Sequence, residues 1–270
     1  MAGTMKTRAE ILQKLEIEQL NQMQVEADEA ILKDSEVVLL SPTGTGKTLA
    51  FLLPIVSQLD PNSDKVQVLI LAPSRELAIQ IEQVARDMGS GFKTNAVYGG
   101  RSGSKDRMDI KHPPALLIGT PGRVADHIRR GAFDTTHLKT LVLDEFDKCL
   151  EVGFEKEMRE IVDAVPHIRK KILRSATRSM EIPEFVGITD PTVLQFLTED
   201  KTNLKIHSIV SPTKDKLGTL VKLLKHLGDA NGIIFCNYKD TIQFVSDHLN
   251  KSNIRHACFF GGLEQIDRER

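Results

Sequence analysis

Two short stretches of this sequence carry residue types suited to holding phosphate and a metal ion. The first is SPTGTGKT at 41–48, which follows the apolar run Val37–Leu40 and precedes a helical pattern. Its glycines let backbone N–H groups turn toward phosphate oxygens, and the helix start adds partial positive charge. Pro42, Thr43, Gly44, Thr45 and Gly46 form the expected cradle. Lys47 is expected to reach the β- and γ-phosphates, and Thr48 Oγ to ligate Mg2+. Ser41 stands where the strict phosphate-loop pattern begins with glycine. The second stretch is DEFD at 144–147, directly after the apolar run Leu141–Leu143. A phosphate loop needs a carboxylate at the end of another buried strand. Asp144 fits that place as the Mg2+ carboxylate, and Glu145 as the group that orients and deprotonates an attacking water. A glycine-rich turn and a solvated acidic turn are the plainer alternatives. The apolar strand before each stretch argues against both.

The elements that must position these residues alternate along the chain. Val37–Leu40, Val68–Leu71, Ala96–Tyr98, Ala115–Ile118, Leu141–Leu143 and Lys171–Leu173 read as strands. Most are too continuously apolar to be half-exposed, which suits a parallel sheet covered on both faces. Thr48–Leu59, Ser74–Met88 and Phe154–Val165 read as helices. In the second of these, Leu77, Ile81, Val84 and Met88 share one face and Gly89 supplies a stop. Strand–helix alternation predicts an α/β doubly wound fold. A second rhythm begins near Ile206. Strands are expected at Ile206–Val210, Gly232–Phe235 and His256–Phe260, and helices at Lys214–Leu227 and Asp240–Asn250. The predicted organisation is a first domain over 1–198, a linker over 199–205 and a partial second domain over 206–270.

Composition narrows the classes. The chain has 270 residues, of which 40% are hydrophobic and 27% charged, as in ordinary globular domains. A net charge of −1 supplies no general cationic field, so nucleic-acid contact would need a local patch. The three cysteines form no C-x-x-C pair, which argues against a zinc site or disulfide framework and for a reducing compartment. No apolar run is long enough to span a bilayer, and the expected location is cytoplasmic.

Eight further or overlapping elements, in order, carry a family resemblance. They are SPTGTGKT, APSRELA at 72–78, Gly99-Gly100, TPGR at 120–123, DEFD, SAT at 175–177, IIFCN at 233–237 and Gln265-Ile266-Asp267-Arg268. The sequence resembles the DEAD-box RNA helicases of helicase superfamily 2 over nearly its whole length. The resemblance implies a RecA-like first domain and an incomplete second RecA-like domain. It implies ATP and Mg2+ as cofactors and RNA as partner, bound mainly through its backbone. Pro73, Arg75, Gly100, Thr120 and Arg123 would line the RNA, with Gln265 and Arg268 joining from the second domain. Ser175 and Thr177 would relay the nucleotide state, with Ser175 near the DEFD acids. The absence of Trp and the two Tyr agree with backbone contact rather than base stacking.

The sequence also departs from the family. Gln24 has the spacing of the family's adenine-reading glutamine, with Gln22 as a competitor, but the aromatic residue expected upstream is missing. A glutamine amide suits adenine because it both donates and accepts. Arg178-Ser179 follows SAT where the family has Met-Pro. No counterpart of the later arginine-rich motif follows the final element, so these 270 residues are expected to bind nucleotide but to hydrolyse it poorly. The leading reading is an ATP-dependent RNA helicase or remodeller. A nucleotide-gated RNA clamp and a DNA-directed motor are the other readings. GTPase and ABC-type signatures are lacking.

Overall fold

The computed structural model describes residues 5–42, 44–100, 110–177, 181–197, 205–212, 214–228 and 230–260. The chain divides into two units, Met1–Glu199 and Asp200–Arg270.

Seven strands build the first unit: β1 (Glu36–Leu40), β2 (Val68–Leu71), β3 (Thr94–Val97), β4 (Leu116–Gly119), β5 (Thr140–Leu143), β6 (Lys170–Ser175) and β7 (Thr192–Gln195). They form one sheet in the order β3-β4-β2-β5-β6-β1-β7, and every neighbouring pair is parallel. Alternate residues of a strand face opposite sides, so both sides need cover. In β1, Val37 and Leu39 enter one apolar cluster with the helices Gln22–Lys33, Lys47–Ser57 and Arg75–Met88. Val38 enters the other, with Pro121–Arg129, Phe146–Glu151 and Glu155–Asp163. The result is a three-layer α/β sandwich, as the alternation predicts.

Local chemistry fixes the helix starts. Ser74, expected inside its helix, is instead the N-cap and accepts from Leu77 N at 3.1 Å. Gly89 ends that helix in the left-handed region. β7 was not expected. It is a short edge strand with alternating half-buried residues, a weaker signal than a fully buried run.

The second unit corrects the expected strands. Among the described residues it contains the helices Lys216–Leu227 and Lys239–Lys251 but no strand. Ile206–Val210, Gly232–Phe235 and the described His256–Phe260 are unpaired segments. An apolar run becomes a strand only when a neighbour completes its hydrogen-bond ladder. Here Val210 and Phe235 remain 87% and 90% exposed. The two helices nonetheless touch, and Val245 and Leu249 of the second are buried.

Candidate functional site

All the first-unit motifs lie at the carboxyl ends of strands, the edge where open parallel sheets build ligand sites. The strand order also divides them. The elements after β3, β4 and β2 occupy one half of that edge, and those after β5, β6 and β1 the other.

In the second half, the loop after β1 turns into a helix at Lys47. Gly46 makes that turn at φ +78°, a left-handed conformation suited to glycine. Lys47 is 5% exposed, and its Nζ donates to Ser41 O at 2.9 Å. Burial pushes its pKa down to about 8. The Arg174 charge adds to that effect, while Asp144, Glu145 and Asp147 oppose it. Thr48 occupies the first turn of the same helix. Asp144 follows β5 and is fully buried. Burial pushes its carboxyl up to about 6 against the pull of Arg174. Neither carboxylate oxygen of Asp144 has a hydrogen-bond partner among the described residues, an arrangement that suits a cation or its bound water.

Glu145 has φ +45° and ψ +51°, left-handed values that are unfavourable for a residue with a Cβ. The turn starts the Phe146–Glu151 helix, anchored by the fully buried Phe146. Backbone strain of this kind, on the order of 1–3 kcal/mol, recurs at functional sites. Cys149 lies buried beneath this turn, its Sγ 3.8 Å from Asp144 O, and burial pushes its thiol far above the ordinary range.

Thr177 makes the link between the acids and β6. Its Oγ1 donates to Asp147 Oδ2 at 3.2 Å, and Ser175 Oγ accepts from Thr177 N at 3.0 Å. The direct contact with the acidic turn is therefore made by Thr177, and Ser175 stands one hydrogen bond behind it.

Gln24 also meets the phosphate loop. It is 8% exposed, and its Nε2 donates to Gly46 O at 3.3 Å while Oε1 accepts from Asn21 N at 3.0 Å. Asn21 Nδ2 donates to Thr45 O at 3.2 Å. The two residues form a reciprocal capping pair at the start of Gln22–Lys33. Gln22 points elsewhere, donating to Glu26 at 2.8 Å on the exposed side.

On the other half of the edge, Arg75 begins its helix with its guanidinium against Gly99 and Gly100. A side chain at Gly100, where φ is +87°, would run into Arg75. Pro73 precedes the helix, partly exposed. Thr120 caps Pro121–Arg129 without a side-chain cap bond and is 8% exposed. Arg123 Nη1 lies 3.7 Å from Asp126, with only 18% of its side chain exposed. Thr43, Gln265 and Arg268 lie outside the described residues.

Sequence reasoning missed Arg174, which is 3% exposed near the end of β6. Its Nε forms an ion pair with Asp144 Oδ1, and its Nη2 is 3.7 Å from Glu145 Oε1. The available signal was an arginine interrupting an apolar strand immediately before SAT. Among the described residues, no group of three or more His, Cys, Asp or Glu side chains forms a metal cluster, and no helix is long and apolar enough to cross a membrane.

A family profile described as DEAD/DEAH box helicase matches residues 21–185. The chain is 34% identical over 250 residues to the DEAD-box ATP-dependent RNA helicase CshB of Bacillus subtilis, covering 89% of this chain and 57% of that protein. It is 33% identical over 254 residues to the ATP-dependent RNA helicase eIF4A of Mycosarcoma maydis, covering 92% and 62%. The chain thus spans about three fifths of the length of these relatives. A crystal structure of a DEAD box protein from Methanococcus jannaschii superposes with a TM-score of 0.64 at 25% identity, over 98% of this chain and 74% of that one.

Proposed function

The chain belongs to the DEAD/DEAH box helicase family, and from that premise we propose that it is the ATP-binding part of an ATP-dependent RNA helicase or RNA–protein remodeller. One observation carries the reading. Lys47, the Asp144-Glu145 pair and the Ser175/Thr177 pair lie at or after the carboxyl ends of three neighbouring strands, β1, β5 and β6. We take the first domain as 1–198, a linker as 199–205 and a partial second domain as 206–270.

In this reading the phosphate loop, Pro42 to Thr48, receives ATP. Lys47 exchanges Ser41 O for the β- and γ-phosphate oxygens, whose negative charge favours its ammonium form. Thr48 and Asp144 would hold Mg2+, which neutralises the phosphate charge when bound. The Asp144 carboxylate, whose oxygens have no hydrogen-bond partner among the described residues, fits that role. Glu145 orients and deprotonates the attacking water, and Gln24 reads adenine. RNA lies along Pro73, Arg75, Gly100, Thr120 and Arg123, touching backbone rather than bases. Gln265 and Arg268 add contacts from the second domain. Thr177, with Ser175 behind it, couples the two halves through Asp147. Closure of the domains on ATP and RNA would strain a duplex locally, and hydrolysis would reset the site. The 270 residues assayed alone are expected to bind nucleotide but to hydrolyse it poorly. The setting we propose is cytoplasmic.

The test is single-turnover ATP hydrolysis with and without RNA, wild type against Glu145→Gln. Loss of a general base removes about 10²–10⁴ in rate while nucleotide binding should persist. Unchanged hydrolysis in the variant would remove the assignment. In a strand-displacement assay, duplex release only at stoichiometric ATP-bound protein, without turnover, would favour a clamp over an unwinder.

A further inference from the structure

The proposed chemistry gives Arg174 no task, yet this residue occupies the centre of the site. β6 runs between β1 and β5, the strands that deliver Lys47 and Asp144. The Arg174 side chain is 4% exposed, and Nε is paired with Asp144 Oδ1. Its second arm, Nη2, has Glu145 Oε1 within 3.7 Å. A buried carboxylate is costly without a counter-charge, and a guanidinium supplies one in a fixed fork of donors. The remaining charged groups that act on the site are Lys47 and Asp147. Lys47 is directed to Ser41 O and Asp147 is bonded by Thr177, so Arg174 is the cation in direct contact with Asp144.

We propose that Arg174 is a resident cation that competes with the divalent metal for Asp144, and so sets how much metal the protein needs in order to bind nucleotide. The inference rests on the reading of this edge as the Mg–ATP site. An ion approaching Asp144 meets a carboxylate whose Oδ1 is in ion-pair contact with Arg174 Nε, although neither of those atoms makes a hydrogen bond, and whose Oδ2 has no hydrogen-bond partner among the described residues. Full engagement of Asp144 by the ion requires Arg174 to withdraw, and Glu145 is the acceptor already in reach. The arginine-paired state acts as a competing conformation, and apparent metal affinity falls in proportion to its population.

The experiment measures binding rather than turnover. Magnesium is titrated at a fixed concentration of N-methylanthraniloyl-ATP with wild type, Arg174→Lys and Arg174→Met, starting from metal-free protein. In parallel, the thermal midpoint of each protein is measured with and without MgCl2 in the absence of nucleotide. Lysine keeps the charge but lacks the fork, and methionine removes the charge. Half-saturating magnesium should rank wild type above Lys above Met, with the Met value lower by on the order of tenfold. MgCl2 alone should raise the midpoint of Arg174→Met and leave wild type unmoved, which loss of packing alone would not produce. Equal half-saturation in the three proteins overturns the inference. If Arg174→Met does not fold, wild type and Arg174→Lys decide by the same criterion. Wild type that binds no nucleotide at any magnesium concentration sinks the reading of the site and this inference with it. Wild-type binding with a flat ranking sinks only the inference.

Discussion

Thr177 Oγ1 donates to Asp147 Oδ2 at 3.2 Å, tying the segment after β6 to the acidic turn after β5. Asp147 is 6% exposed, and its Oδ1 has no hydrogen-bond partner among the described residues. Thr177→Val keeps the shape and removes the donor. Chemical denaturation should show a loss of about 1–3 kcal/mol, the cost of a buried acceptor left unpaired. On the proposed function, ATP should still bind while RNA no longer accelerates hydrolysis. Full RNA stimulation in the variant would exclude Thr177 from the coupling.

Gln24 and Asn21 hold the phosphate loop side by side, through Gly46 O and Thr45 O. Removing either should loosen the loop. With a hydrogen bond contributing about 0.5–1.5 kcal/mol, ATP affinity should fall by roughly two- to tenfold in Gln24→Ala and in Asn21→Ala. Only Gln24→Ala should also narrow the preference for ATP over GTP. Calorimetric titration with both nucleotides separates the two effects. An equal change of preference in both variants would leave Gln24 as a latch and not an adenine reader.

Gly100 lies against the Arg75 guanidinium at a positive φ. Gly100→Ala therefore strains the backbone and displaces Arg75 together, at a cost on the order of 1–2 kcal/mol. A fluorescein-labelled single-stranded RNA should bind more weakly, while ATP binding stays as in wild type. Undiminished RNA affinity would remove Gly100 and Arg75 from the RNA surface.

Much of the first unit was legible because its strands are short, apolar on both faces and followed at once by motif residues. Val37–Leu40 and Val68–Leu71 needed no tertiary information. β7 hid because Thr192–Gln195 offers only two apolar residues between polar ones, and one of them, Val193, is 53% exposed at the sheet edge. Ile233–Phe235 misled in the opposite direction, since apolar content signals a wish for cover and cannot say whether a partner strand supplies it. Arg174 was illegible for a different reason. Its counter-charge, Asp144, is distant in sequence and meets it only through the β5–β6 register, in which Leu143 stands opposite Leu173. The hydroxyl that reaches the acidic turn was likewise visible as SAT, but which of Ser175 and Thr177 made contact depended on the backbone after β6.

Glu36 fastens the entry to β7. Its Oε2 accepts from Thr189 N at 2.8 Å and Asp190 N at 3.0 Å, and these bonds hold its pKa below the usual carboxylate value, helped by nearby Lys171. A carboxyl with a depressed folded-state pKa stabilises above its unfolded pKa, and that stabilisation is lost as pH falls toward the folded value. Wild type should therefore exceed Glu36→Gln in thermal midpoint at pH 7. The gap should close as the pH drops below about 4.3, the ordinary glutamate value. A gap independent of pH would mean that the carboxylate charge is not what holds this turn.

The thiol of Cys149, sealed under the Asp144 carbonyl, gives the acidic turn a chemical clock. A maleimide or disulfide reagent cannot reach the sulfur while Phe146 and its helix stay docked, and the shifted ionisation withholds the reactive thiolate even from a reagent that slips in. Labelling must wait for the turn to lift. Its rate then counts opening events of the strand end itself, a local equilibrium that turnover and whole-protein melting both average away.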